Sequence, residues 1–383
     1  MDGALNELAL HSAILSGNTE TVKFILSNTS DINLKDDDGN TAVNIAAKCG
    51  NVDLINLLCD NGADMTLTND NNDDIGLMAI YSKDVNVVEV LYDKNFVFNA
   101  IHVFVALKTD VVDIIMFFAR NNIPMIQSMA HIACFHNSIF CLNEFVCNDI
   151  FANYIKATDN NGDTPAHIAV RKKNYNCTRI LTHKDVDFYS ENNFRQSPMS
   201  IACDNDDLLC LSTMLKHKCD KNYNTKLLMS TVHDKHFNCA WILLKYGVDN
   251  IDEMIVTSIG LRYNALLCAC DNADISCLLL LLENGANPNS EYDDGSTPIM
   301  YAILKNSVEC AQLLHDYGAD LNVADNNGIT PAYLAAENGF IDCMEFLKKN
   351  DSVIDIRADN GLTPYKIAEK NDHTLICELI NKK

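Results

Sequence analysis

Near one end of this 383-residue chain the phrases DDGSTPIMYA, DNNGITPAYLAA and DNGLTPYKIA set Thr297, Thr330 and Thr363 at intervals of 33 residues. A fixed period of that length restricts the fold to an array of small units, because no single unit can bury its own apolar face and each must lean on its neighbours. DGNTAVNIAA at Thr41, DNNGDTPAHIAV at Thr164 and NNFRQSPMSIA at Ser197 repeat the phrase. Weaker copies carry it through Leu8, Asp74, Ile101, Ser128, Lys226 and Asn264, giving twelve anchors. Five residues after the anchors stand Ala13, Ala46, Ala79, Ala106, Ala133, Ala169, Ala202, Thr231, Ala269, Ala302, Ala335 and Ala368. A small side chain at a fixed helical slot lets packed helices approach closely, which explains its persistence in copies that share little else.

Each unit has a local logic. Asp, Asn and Gly make a turn, Thr or Ser at the anchor caps a helix, and Pro follows at the first helical position, where its missing N–H costs nothing. A second helix then carries the apolar stripe of VDLINLLCDNGAD or IDCMEFLKKN, with Gly62, Gly247, Gly285 and Gly318 placed to stop it. The acid-rich stretch before Gly39 is not a calcium loop. Its first ligand position is Leu34 and its closing position is Ile45, neither of which offers a side-chain oxygen. Polar residues suited to capping the array are Asn6, Glu7, Thr19 and Glu20 at one end and Glu369, Lys370, Glu378, Lys382 and Lys383 at the other.

The period, the T-P-x-H-x-A string of Thr164, Pro165, His167 and Ala169, and the NGAD and YGAD endings resemble the ankyrin repeat family. The resemblance implies an all-α ankyrin-repeat solenoid: one domain over residues 1–383, built of helix-turn-helix units with short β-hairpin fingers and drawn into an elongated curved superhelix. His occupies the family slot at His11, His131 and His167 only. The anchors Asp74, Ile101 and Ser128 lie 27 residues apart and Lys226 to Asn264 spans 38, so some fingers are expected to be clipped and one enlarged.

Partners of this family usually bind the concave face made by finger tips and the ends of first helices. In the central repeats those slots hold Phe135, His136, Arg171, Lys172, Phe194 and Gln196, a basic and aromatic island. Elsewhere they are acidic or polar, as at Asp293, Asp294, Asn326 and Asn327. The resemblance therefore implies a scaffold or adaptor that binds protein without catalysis. Its alternatives are a pathogen or parasite factor that masks a host protein, and an enzyme with a site in the irregular third to fifth repeats. It also marks Asn289 and Asn322 as possible targets of asparagine hydroxylation.

Composition narrows the field further. A formal charge of −23 opposes the phosphate neutralisation that nucleic-acid binding needs and opposes anionic membranes, leaving protein as the expected partner of an expected monomer. MDGALNELAL lacks the positive charge and continuous apolar core of a secretory signal, and LLLLL from Leu278 to Leu282 is too short to span a bilayer, so the cytoplasm is the expected location.

In that setting the sixteen cysteines read as free thiols. Seven of them, Cys141, Cys177, Cys210, Cys239, Cys277, Cys310 and Cys343, each stand thirteen residues after an anchor and form a ladder of small buried side chains. No cofactor is expected: His131, Cys134 and His136, or His233 and His236, lack a second pair to complete a metal site, and no nucleotide or hydrolase motif is present. Trp241 and Leu279 break an otherwise polar outward slot, and the long connection with Ile251, Met254, Ile255 and Ile259 is expected to fold over them.

Overall fold

A computed structural model describes residues 2–29, 31–184, 186–256 and 262–381, with side chains from residue 9 onward. Ile259, Lys382 and Lys383 lie outside the described residues, as do the side chains of Asn6, Glu7 and Leu8. The chain is an all-α helical repeat whose helices come in pairs, from Asp2–Leu15 with Thr19–Leu26 to Pro364–Lys370 with Thr374–Asn381. They fall into two compact units, Met1–Pro198 and Met199–Lys383.

The twelve-anchor register has a backbone counterpart. Every first helix ends seven or eight residues past its anchor, as Ala42–Lys48 does from Thr41 and Pro331–Asn338 from Thr330. Nine residues after each anchor, just past the helix end, the chain turns left-handed. Gly17, Gly50 and Gly339 take that conformation freely, while Lys83, Asp110, Asn137, Lys173, Asp206, Lys235, Ala273, Asn306 and Asp372 adopt it with φ between 49° and 61°. The next N–H then reaches back to the carbonyl of the repeated small residue, Ser138 to Ala133 at 2.8 Å and Asp274 to Ala269 at 2.9 Å. This closes the helix with a satisfied C-terminus and starts the second helix immediately. The small residue is buried in every copy.

Helix starts vary more than helix ends. Thr330 and Thr363 accept the N–H of Tyr333 and Lys366, and Asp74 and Asn264 cap Leu77 and Leu267. The expected threonine cap fails at Thr41 and Thr297, whose buried hydroxyls have no partner among the described residues. At Ile101 and Lys226 the anchor lies inside a helix, because Asn99 and Asp220 cap it earlier and draw finger residues into Ala100–Lys108 and Lys221–His233. Asn99 also gives the fourth repeat a histidine that the fixed register misses. The Asn99 N–H donates to His102 Nδ1 at 3.0 Å, as the Thr164 N–H does to His167 Nδ1, and His102 Nε2 donates to the Asp74 carboxylate at 3.0 Å.

The fingers are tight turns closed across five residues, with the Asp159, Asn192, Tyr292 and Asp325 N–H groups bonded to the carbonyls of Asp163, Gln196, Ser296 and Ile329. Neighbouring tips join by main-chain bonds, Asn193 to Asn161 at 3.0 Å and Asn326 to Asp294 at 2.9 Å. Gly295 is needed there twice over: its φ is +78°, and a Cβ would meet the Asn326 nitrogen at 2.9 Å. In the enlarged connection, Ile255–Val256 pairs antiparallel with Arg262–Tyr263.

Candidate functional site

The predicted residues fall into three environments. Phe135 and His136 occupy the last turn of Met129–His136, and Lys172 follows directly on Pro165–Arg171. These three meet: Lys172 Nζ lies 4.0 Å from the centroid of the Phe135 ring, and His136 stands edge-on to Phe135 at 5.1 Å. Phe104, from the middle of Ala100–Lys108, also stands edge-on to His136 at 5.8 Å. Ile132, one turn below Phe135, and Ile168 complete a groove of about 450 Å³ across the first helices of three successive repeats. Phe135 is 49% exposed and Phe104 38% exposed. Burial, and then the charge of Lys108, hold the His136 imidazole below its ordinary pKa, so that ring is neutral at neutral pH.

Arg171 does not join this groove. Its guanidinium grips Asp163, with Nη1 on Oδ2 and Nη2 on Oδ1 at 3.1 Å. Asp163 is 1% exposed, takes a further bond from Asn192 Nδ2 at 2.7 Å, and its carbonyl accepts His131 Nε2 at 2.8 Å. Burial opposes ionisation of Asp163, but the Arg171 and Asn192 hydrogen bonds outweigh it and the carboxyl titrates below its usual value. Arg171 is therefore a clamp between helix and finger.

Phe194 and Gln196 also sit apart, on the finger that Asn192 organises by accepting the Phe194 and Gln196 N–H groups. The Gln196 carbonyl takes His167 Nε2 at 3.0 Å, which ties that finger to the preceding repeat. Phe194 is exposed at the tip, outside the groove lining.

The acidic set belongs to the second unit and is built as joints between fingers. Asp293 pairs with Arg262 at 3.1 Å while its carbonyl accepts Asn326 Nδ2 at 3.1 Å. Asp294 folds back on Ser296, and the Asn327 carbonyl receives the Asp359 N–H at 3.0 Å. Asn289 and Asn322 are held in the same way: Asn289 bridges Asp320 and Gly318, and Asn322 accepts from Val353 at 2.7 Å.

Among the described residues no cover forms over Trp241, and Ile259 of the expected cover lies outside them. Trp241 remains 45% exposed, with Lys245 Nζ 4.8 Å from its ring, and Leu279 is exposed as well. The described parts of the long connection meet the fingers, where Asp252 accepts the Asn287 N–H and Arg262 reaches Asp293. Among the described residues no helix is long and apolar enough to cross a membrane, and no cluster of three or more His, Cys, Asp or Glu side chains converges as a metal site.

Comparison with known proteins gives a consistent picture. The family described as ankyrin repeats in three copies matches residues 10–102, 77–192 and 317–383, and that described as ankyrin repeats in many copies matches 281–335. Over 175 residues, 46% of the chain, the sequence is 22% identical to L371 of Acanthamoeba polyphaga mimivirus, a protein named for its ankyrin repeats. The match covers 23% of that protein's length.

Proposed function

The chain belongs to the ankyrin repeat family, and from that premise we propose that it is a scaffold or adaptor that binds a partner protein through the first-helix face of its fourth to sixth repeats. Ankyrin repeats generally mediate protein–protein interaction. The observation that carries the finer reading is the groove of Phe104, Phe135, His136 and Ile168. Phe104 and Phe135 stand partly exposed on adjacent first helices, Phe135 beneath the ammonium of Lys172. Large exposed aromatics on a fixed frame anchor protein partners at low entropic cost. The chain acts by binding alone, as a cytoplasmic monomer, without cofactor, nucleic acid or membrane.

A photoreactive phenylalanine analogue placed at position 104 or 135 tests this in the native cell, with the same analogue at Phe24, an exposed ring on the second helix Thr19–Leu26, as control. A defined protein cross-linked from positions 104 and 135 but not from position 24 supports the reading. Equal labelling from all three positions removes it.

A further inference from the structure

We propose that the groove accepts an acidic protein segment in which one bulky apolar side chain is flanked by carboxylates, an inference that rests on the reading of the groove as a partner site. The formal charge of the chain is −23, yet the sign reverses locally. Lys172 is stacked over Phe135, and Lys108, the last residue of Ala100–Lys108, lies close enough for its charge to act on His136. Neither ammonium has an ion-pair partner among the described residues. Arg171, adjacent in sequence, is neutralised by Asp163 and adds no net charge. A neutral His136 adds no charge of its own to the groove.

These features divide the recognition between two chemistries. A cavity of about 450 Å³ accommodates a Leu, Phe or Trp side chain. The ammonium groups then face whatever flanks that anchor, and carboxylates are the groups that complete them. The charge of the whole chain does not prevent this, because at physiological ionic strength only charges within roughly 8–10 Å act strongly on the bound segment. A basic segment finds its attraction at the acidic fingers and meets Lys108 and Lys172 as like charges at the groove.

Random peptides displayed on phage and selected on the full chain, with Phe135→Ala as counter-selection, test the proposal. The expected consensus joins Leu, Phe, Trp or Met to Asp or Glu within one helical turn. A synthetic peptide of that consensus is expected to bind about tenfold more weakly to Lys108→Glu/Lys172→Glu, and binding to that variant is restored when the peptide's carboxylates are changed to Lys. Lys172→Met, which keeps the stem over the ring and removes the charge, gives part of the loss and guards against misfolding of the double variant. Peptides that depend on Phe135 but show no acidic enrichment overturn this inference and leave the groove as a partner site. Peptides that bind Phe135→Ala as well as the parent, or no Phe135-dependent peptide at all, overturn both.

Discussion

Cys177 Sγ lies 3.4 Å from Asn137 Oδ1, a thiol of the sixth repeat donating to the left-handed residue of the fifth. The same relation joins Cys239 to Asp206 at 3.3 Å and Cys343 to Asn306 at 3.4 Å. The cysteine ladder is thus more than a column of small apolar side chains. Where the inter-helix turn is Asn or Asp, the thiol of the next repeat supplies a weak donor to a side chain that faces the stack.

This placement makes the ladder unreactive. Burial pushes the Cys277 and Cys343 thiols up to about 12, and burial aided by the Asp110 carboxylate raises Cys141 further still. At neutral pH all three are protonated, and the thiolate is the reactive form. In a native thiol titration with an aromatic disulfide reagent, Cys49, Cys147 and Cys219, the exposed cysteines, are expected to react at once, and Cys59 and Cys377 more slowly. The eleven buried thiols should appear only on unfolding. Rapid reaction of the full complement in the folded protein is the contrary result.

The left-handed turn residue is a second point of leverage. Ala273 holds φ at +49° and is exposed. The strain of that conformation for an L-residue, about 1–2 kcal/mol, exceeds the roughly 0.4–1 kcal/mol by which Gly favours the unfolded chain. Ala273→Gly is expected to stabilise the protein by about 0.5–1 kcal/mol, read as a higher urea midpoint with an unchanged slope. Asn137→Gly should gain nothing. Asn tolerates this conformation, and the change removes the Cys177 acceptor.

The Arg171–Asp163 clamp predicts a pH-dependent contribution to stability. The folded pKa of Asp163 lies below its unfolded value, so its stabilisation is complete above the unfolded pKa of about 3.9 and disappears as pH falls through the folded value. Asp163→Asn is expected to cost about 1.5–3 kcal/mol near neutral pH, because Arg171 and Asn192 are organised around the charged carboxylate. The difference between variant and parent should narrow as pH falls below about 4. A difference independent of pH would show that shape, not charge, holds the clamp.

Which features were legible in the sequence follows from how locally each is determined. The anchors and the small buried residue are periodic because every repeat faces the same packing constraint, so spacing alone reveals them. Helix starts are not periodic, since a single Asn or Asp decides them: Asn99 and Asp220 each lengthen a helix at the expense of its finger. That shift hid Phe104, which the fixed register puts in the slot His131 and His167 occupy, while His102 takes the inward role and Phe104 turns out beside His136. Phe135, His136 and Lys172 were legible because they sit where regular first helices end. Arg171 shares that location, but its chemistry is set by Asp163 eight residues earlier on its own finger, and no periodicity encodes that pair.

Trp241 provides an internal test of the second unit, because it is the chain's single tryptophan and is 45% exposed. The overall charge of −23 would repel an anionic quencher from an average surface site. Lys245, 4.8 Å from the indole centroid, reverses that bias locally. Iodide is therefore expected to quench native Trp241 emission more efficiently than caesium at matched ionic strength, and Lys245→Glu should invert the order. Both effects should weaken as salt shortens the range of the lysine's field. A buried spectrum that neither ion quenches would mean that the connection after Phe237–Tyr246 covers the ring in solution. An exposed ring whose quenching favours caesium would place Lys245 away from it and leave the acidic surface in control.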